Sequence, residues 1–270
     1  MSRYEFAQLH QHKNDWLGRQ HIMRARFAAD YAKSARRILD IASGSGYCTY
    51  HLARMNPQAE VIGADISEDV LEYAQGAYQL PNLRFEHGDA FDMKYPDGFF
   101  DLVVTYETLE HVTDGEDIIR ELARLTHPEG LLLCSTPNRE YNFPTKEHIR
   151  LYYPEEFFEM LQRHFNEVER FYQFQTEADY QEVLRRTRKE RIQVVTGIPR
   201  RLASRLAPRW VKDKIKQALG WKLDEQQLRQ YLIFDDEVYP AEAVTAEVQR
   251  PGAYPCNLLA VCQGPKKGKC

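Results

Sequence analysis

The sequence lacks the features that would place it among membrane, disordered or strongly basic proteins. No apolar run approaches the ~18 residues that a membrane-spanning helix needs, and the mean hydropathy is −0.60. The 36 Lys and Arg are outnumbered by 40 Asp and Glu, giving a net charge of −4, so the chain as a whole has no excess of positive charge for nucleic acid. Only 14 Gly and 13 Pro, with 43% apolar residues, exclude a low-complexity chain.

The sequence also shows no paired cysteines and no pattern typical of a signal peptide. The five cysteines form no CxxC pair, and the first sixteen residues are mostly polar and contain no apolar stretch. A secreted disulfide scaffold would show paired cysteines behind an apolar leader. We therefore expect reduced thiols and a cytoplasmic location.

Strand-type and helix-type patterns alternate after a helical segment at residues 19–34. Five short apolar runs are separated by amphipathic segments, and they cover residues 36–42, 61–66, 83–90, 99–107 and 130–138. This alternation predicts an α/β fold, a doubly wound parallel sheet with helices on both faces. Two later runs, at residues 166–175 and 256–263, would bring the sheet to seven strands.

The chain divides into four expected parts. Residues 1–34 would form an N-terminal helical lid, residues 35–175 the core that binds the ligand, and residues 176–250 an inserted helical cap. Residues 251–270 would add the last strand and a disordered tail.

A glycine-containing turn follows the first predicted strand. Gly44 and Gly46 have no Cβ, so their backbone could approach a ligand closely and adopt positive φ. Asp65 ends the second strand, where a carboxylate can accept the hydrogen bonds of a ribose diol, and Asp89 ends the third. Thr49 stands where a dinucleotide-binding turn has its third glycine. The pattern favours a nucleoside ligand without a diphosphate.

These residues resemble the class I S-adenosylmethionine-dependent methyltransferases, whose first motif runs acid-x-Gly-x-Gly-x-Gly. The match covers residues 19–175, and Ala42 replaces the first glycine. The resemblance implies a Rossmann-like fold with S-adenosylmethionine as cofactor. It assigns Asp65 to the ribose hydroxyls, Asp89 to the adenine amine and Ala90 to the adjacent backbone contact. The other cofactor-binding residues that it implies are Asp40, Ala42, Gly44, Gly46 and Ile66, with Tyr106 and Glu107 at the methionine end.

Three chemically active side chains follow the fourth predicted strand. On a helical turn, Glu107, Glu110 and His111 would share one face because they stand at i, i+3 and i+4. His111 could act as a general base whose tautomer a glutamate fixes. Alternatively, the three could bind a divalent cation together with His148. In the third interpretation Glu110 stabilises the helix end and His111 packs under the sheet edge. The candidate catalytic residues are His111, Glu110 and His148.

Local motifs also resemble particular branches of these enzymes. Residues 3–7, 107–111, 136–141 and 148 resemble methyltransferases of bacterial glycan and polysaccharide synthesis. Ubiquinone-pathway O-methyltransferases look similar at Glu107, Glu110, His111 and His148. Small-RNA 3′-terminal 2′-O-methyltransferases resemble the chain at Glu107, Glu110, His111 and His148, which bind a magnesium-type ion in that family.

These resemblances imply an acceptor hydroxyl on a sugar, a glycan precursor or a related small molecule. One alternative is metal-dependent O-methylation of a vicinal diol, a catechol or an RNA 3′ end. The other is a non-catalytic partner subunit that only binds S-adenosylmethionine.

The inserted segment contains a strongly basic stretch. Residues 185–216 carry 12 Lys or Arg and two acids, a local charge of +10, in a pattern of two amphipathic helices. Such a cap could pack its apolar side on the core, bind a phosphate-bearing carrier or contact an anionic membrane. Few aromatic residues are interleaved for base stacking, which disfavours nucleic acid.

Overall fold

The structure, a computed structural model, describes residues 16–142, 147–175, 238–240 and 254–266. The helices among them are α1 (Trp16–Tyr31), α2 (Tyr47–Met55), α3 (Glu68–Ala77), α4 (Gly115–Leu125) and α5 (Pro154–His164), with a short 3-10 helix at Leu109–His111. The strands are β1 (Arg37–Ile41), β2 (Glu60–Asp65), β3 (Leu83–His87), β4 (Phe100–Tyr106), β5 (Thr126–Pro137), β6 (Phe165–Gln175), β7 (Val238–Pro240) and β8 (Tyr254–Pro265).

The strands form one sheet in the order β3-β2-β1-β4-β5-β8-β6-β7. Strands β1 to β5 run parallel, whereas β8 is antiparallel to both β5 and β6. This confirms the predicted doubly wound α/β sheet, with its seven expected strands. The three-residue β7 adds a short eighth strand beside β6, which the helical pattern of the insertion did not predict.

Alternate residues of the central strands pack on opposite faces of the sheet. Val103 belongs to the cluster covered by α4 and α5, whereas Leu102 and Val104 belong to the cluster covered by α1 and α2. This is the period of two expected for a strand buried on both faces. Ala28 of α1 and Ala32, which directly follows the helix, are fully buried in the second cluster, so this part of the expected lid packs directly on the core.

Several expectations fall outside the described residues. These are the first fifteen residues, the tail beyond residue 266 and nearly all of the expected cap, including its basic stretch. Among the residues that are described, no helix is long and apolar enough to cross a membrane.

Candidate functional site

The candidate site lies where the strand order reverses. Strand β1 pairs with β2 on one side and with β4 on the other, so the chain leaves the carboxyl ends of β1 and β4 toward opposite halves of the sheet. A crevice at such a switch point is the usual ligand site of open α/β sheets. The glycine turn after β1 and the residues after β2, β3 and β4 meet at this edge.

The turn after β1 uses left-handed backbone at three positions. Ala42, Gly44 and Gly46 have φ of 58°, 54° and 77°. For Ala42 this conformation costs roughly 1–2 kcal/mol, which explains why the resembling motif has glycine there. The Gly44 N–H donates to Asp65 Oδ2 at 2.9 Å, so the turn is held against the end of β2.

Gly46 is required by packing inside the protein. A Cβ at this position would lie 2.6 Å from the Phe85 ring and 2.8 Å from the Ala74 methyl. Both distances are shorter than van der Waals contact. Packing against Phe85 and Ala74 therefore requires a glycine at position 46. The sequence interpretation had considered only the close approach of a ligand.

Asp40 lies beneath the turn and is almost fully buried. Its Oδ2 accepts a hydrogen bond of 2.7 Å from Thr49 Oγ1, and only 3% of the residue is exposed. Burial raises the pKa of Asp40 to about 7, with a further increase from nearby Asp65, although the Thr49 hydrogen bond opposes the shift. The main visible role of Asp40 is thus to join β1 to α2.

The acidic residues at the end of β2 and after β3 stand at the edge of the crevice. Asp65 is half-buried, and its Oδ1 accepts the Ser67 N–H at 2.9 Å. Asp89 Oδ1 accepts the Phe91 N–H at 3.0 Å. Each carboxylate has lone pairs beyond those used by these backbone bonds. Ile66 beside Asp65 is 64% exposed, whereas Ala90 packs partly against the core.

Glu107 does not share a helical face with Glu110 and His111, so that prediction is wrong. The 3-10 helix begins at Leu109, and Glu107 before it has a φ of 56°. A left-handed residue interrupts the helical path. Its carboxylate instead accepts a hydrogen bond of 2.8 Å from Ser135 Oγ.

Glu110 is buried beside the candidate base. Only 1% of the residue is exposed, and its Oε2 accepts a hydrogen bond of 3.2 Å from Thr136 Oγ1. Burial, followed by the charge of Glu107, raises the pKa of Glu110 well above its usual range. The environment therefore favours the neutral carboxylic acid.

The structure fixes the orientation of His111. Its Nδ1 lies 2.8 Å from the Glu147 carbonyl oxygen, which can only accept, so Nδ1 carries a proton and, in the neutral ring, Nε2 has the lone pair. Nε2 lies 3.8 Å from Glu110 Oε1. The Arg150 N–H also donates to the Glu110 carbonyl at 3.1 Å, so the segment after β5 is attached to the 3-10 helix at two points.

His148 joins this group from the same segment. Its ring centroid lies 5.3 Å from that of His111, and burial and the neighbouring His111 lower its pKa. One potential ligand atom from each of Glu110, His111 and His148 lies within 4.8 Å of the others. Glu107 is outside this group, which leaves three of the four residues expected around a cation.

The sequence interpretation missed a buried polar cluster behind Glu107. Arg24 of α1 is 1% exposed, and its Nη1 donates to Gln173 Oε1 of β6 at 2.7 Å. The same nitrogen is 4.0 Å from Glu107 Oε1. The partners are 149 and 83 positions apart in sequence, so no local motif joins them. Helical spacing could have indicated that Arg24 is buried, because it stands four residues before Ala28 and lies on the same helix face.

The chain matches the family model described as a methyltransferase domain over residues 32–191. It is 37% identical over 113 residues to a demethylmenaquinone methyltransferase of Deinococcus radiodurans, covering 41% of this chain and 46% of that one. It is 38% identical over 105 residues to ajmaline N-methyltransferase of Rauvolfia serpentina, covering 37% of this chain and 36% of that one. The chain thus spans less than half the length of these curated relatives.

One solved structure extends the comparison to the fold. This is phosphoethanolamine N-methyltransferase 2 of Haemonchus contortus, in complex with phosphomonomethylethanolamine and S-adenosylhomocysteine. The TM-score is 0.57 at 14% identity, over 98% of this chain and 59% of that one. At this identity the likeness supports the shared fold.

Proposed function

The chain belongs to the methyltransferase domain family, within the class I S-adenosylmethionine-dependent enzymes, and on that basis we propose that it methylates a hydroxyl group. The proposed acceptor is a sugar, a glycan precursor or a related small molecule. His111 is the proposed general base. The observation that carries this proposal is the hydrogen bond from His111 Nδ1 to the Glu147 carbonyl oxygen.

The strand ends fit the adenosine part of the cofactor. Asp65 and Asp89 supply carboxylate oxygens at the carboxyl ends of adjacent strands, and the exposed Ile66, which follows Asp65, supplies an apolar surface. Ser43 Oγ is buried without a hydrogen-bond partner among the described residues, so the turn has an unused polar group. These residues would hold the cofactor, which supplies an activated methyl group on a sulfonium when bound.

Hydroxyl chemistry requires a group that takes one proton. An alcohol is a weak nucleophile until its proton is removed, and an imidazole lone pair is suited to that step. In His111 the lone pair is on Nε2, because Nδ1 donates to the main chain. The residue therefore needs no change of tautomer before it accepts a proton. The remaining work of the protein is to align the acceptor with the methyl group.

The named relatives act on different acceptors, so the acceptor atom has to be tested directly. We would incubate the protein with S-adenosylmethionine and panels of sugar, catechol and RNA-end acceptors, and search by mass spectrometry for the gain of one CH₂. The proposal predicts methylated sugar-type hydroxyls. Transfer to carbon or nitrogen alone would contradict it.

A substitution pair tests the base. We expect His111→Gln to lower kcat by about 10²–10⁴-fold, because the amide cannot accept the proton, while affinity for S-adenosylhomocysteine is kept. The matched control is His127→Gln, since His127 is the second residue of β5 and lies at the opposite edge of the sheet. Equal activity of the two variants would exclude His111 as the base.

A second candidate is a metal-dependent methyltransferase of a vicinal diol, a catechol or an RNA 3′ end. The observation that favours it is the convergence of Glu110, His111 and His148 within 4.8 Å. One carboxylate and two imidazoles suit several divalent cations. The hydrogen bond from His111 Nδ1 to a main-chain carbonyl is also the kind of contact that usually orients a metal-bound histidine. Full activity of metal-stripped protein in excess EDTA would exclude this candidate.

A further inference from the structure

Two arginines lie on the backbone next to the proposed base. Arg139 follows β5 at the carboxyl edge of the sheet, and its main-chain N–H donates to the Tyr152 carbonyl at 2.9 Å. Arg150 donates its main-chain N–H, at 3.1 Å, to the carbonyl of Glu110, the residue before His111. Main-chain hydrogen bonds therefore connect the segments that carry both arginines to the 3-10 helix that ends at His111.

Each of these guanidinium groups packs over a tyrosine ring. Arg150 Cζ lies 4.7 Å from the centroid of the Tyr152 ring, and Arg139 Cζ lies 5.9 Å from that of Tyr153. Both distances are within the range of a cation–π contact. Such a contact uses one face of the guanidinium, whereas its N–H groups lie in the plane of the group and point outward. The rings therefore support the arginines without using their hydrogen-bond donors.

The Arg150 guanidinium has no carboxylate at hydrogen-bond distance among the residues that the structure describes. Glu156 Oε1 lies 3.9 Å from Arg150 Nη2, which is too long for a hydrogen bond. The other carboxylate oxygen of Glu156 accepts the Tyr153 N–H at 3.1 Å and caps α5. The side chain of Glu156 is thus used by the helix, and the donors of Arg150 remain available to a ligand.

The Arg139 guanidinium likewise has no acidic partner within the described parts of the chain. Glu140 follows it in sequence, but partial burial and the charge of Glu155 raise the pKa of Glu140. A guanidinium close to this carboxylate would lower the pKa instead. Other exposed arginines do bond carboxylates: Arg120 donates to Asp117 at 2.6 Å and Arg163 to Glu116 at 2.8 Å. Two positive charges beside the proposed base are therefore left without a bonded anion.

We propose that Arg139 and Arg150 bind a phosphate group of the acceptor, which carries the hydroxyl to be methylated on an adjoining sugar. A phosphate monoester has a charge of about −2 near neutral pH, which two guanidinium groups balance, and its oxygens accept paired N–H donors. Ile149 and Tyr153, which are 61% and 48% exposed, supply apolar surface for the sugar ring. A sugar phosphate and the diphosphate of a nucleotide sugar share this chemistry. The inference rests on the proposed function, because it names the class of acceptor for the same site.

The test compares ligands that share a sugar and differ in the phosphate. Free hexoses, hexose 1-phosphates and nucleoside diphosphate hexoses are titrated by calorimetry into protein saturated with S-adenosylhomocysteine. Methyl transfer from S-adenosylmethionine is measured on the same panel. We expect a phosphate-bearing member to bind at least about 10-fold more tightly than its free hexose. The monoester and the diphosphate arms then show which form of phosphate the site takes.

Substitutions of the two arginines locate the phosphate. We expect Arg139→Gln and Arg150→Gln each to weaken the phosphate-bearing ligand by about 10-fold and the free hexose by less than about twofold. With a methylated acceptor the loss should be in KM, with kcat little changed, because the phosphate does not react. The matched control is Arg37→Gln. Arg37 also packs over an aromatic ring, that of Phe99 at 4.2 Å, but it begins β1 at the opposite edge of the sheet.

Three results would overturn the inference. They are equal affinity of the wild-type protein for free and phosphorylated hexoses, no measurable binding of any phosphate-bearing member, and the same effect of Arg37→Gln as of the other two substitutions. Phosphate binding that depends on Arg139 and Arg150, without methylation of any hydroxyl in the panel, would support the phosphate site and count against the proposed function.

Discussion

The Asp65 carboxylate accepts the main-chain N–H of Gly44 at 2.9 Å, and this bond joins the end of β2 to the turn after β1. The same carboxylate accepts the Ser67 N–H through its other oxygen. One side chain therefore shapes the turn and also stands where the ribose diol is proposed to bind. The position of the turn depends on a residue that belongs to the next strand.

Asp65→Asn, compared with the loss of a carboxylate elsewhere, separates the two hydrogen bonds of Asp65 from the effect of its negative charge. An amide has one acceptor oxygen where the carboxylate has two, so either Gly44 or Ser67 loses its partner. We expect the affinity for S-adenosylhomocysteine to fall by about tenfold, measured by calorimetry. Asp69→Asn, an exposed neighbour in the first turn of α3, is the matched control and should bind like wild type.

A pair of glycine substitutions tests the packing of the turn. Gly46→Ala combines a left-handed φ of 77° with a Cβ 2.6 Å from the Phe85 ring, so we expect a loss of about 2–4 kcal/mol in the free energy of unfolding. Gly76→Ala meets nothing within 4 Å in α3 and should be neutral or stabilising, by up to about 1 kcal/mol. Urea unfolding measures both, and similar effects would contradict the packing argument.

The buried Asp40 should make stability depend on pH in an unusual direction. Its folded-state pKa of about 7 lies above the ordinary 3.8, so between these values the folded state binds the extra proton. Its contribution to the free energy of unfolding must then decrease as the pH rises from 3.8 to 7. Asp40→Asn cannot titrate, so its stability should fall less over this range. Parallel pH profiles of the two proteins in urea unfolding would show that Asp40 titrates normally.

The ion pair between α4 and α5 should make the stability depend on pH in the opposite direction. Glu116 accepts two hydrogen bonds from Arg163, at 2.8 and 2.9 Å, and a third from His164. These partners lower the pKa of Glu116 to about 2, the Arg163 hydrogen bonds contributing most. Stabilisation is therefore complete above pH 4.5 and is lost as the pH falls toward 2. We expect Glu116→Gln to flatten the acid limb of a thermal unfolding series, and added salt to reduce the difference.

Local sequence patterns were sufficient to predict the sheet and the glycine turn after β1. Helix α2 follows the turn directly, from Tyr47 to Met55, because Gly46 allows an abrupt left-handed start. The central strands β1, β2 and β4 are buried at most positions because they are covered on both faces. Acidic residues at strand ends could also be located, since parallel strands bring their carboxyl ends to one edge.

The site after β4 could be predicted only in part. The sequence identified Glu110, His111 and His148, which the structure brings together, but it placed Glu107 on their helix. Nothing local shows that a glutamate will take a φ of 56°, because the stabilising partner Ser135 is 28 residues away. The acceptors of Arg24 lie still further along the chain, and only the assembled sheet brings them to α1.

The most direct test of the account is calorimetry of the wild-type protein with S-adenosylhomocysteine and, separately, with NADH. The account predicts one site for S-adenosylhomocysteine and no measurable heat with NADH, because the turn lacks the third glycine of a diphosphate site. Binding of NADH without binding of S-adenosylhomocysteine would contradict it.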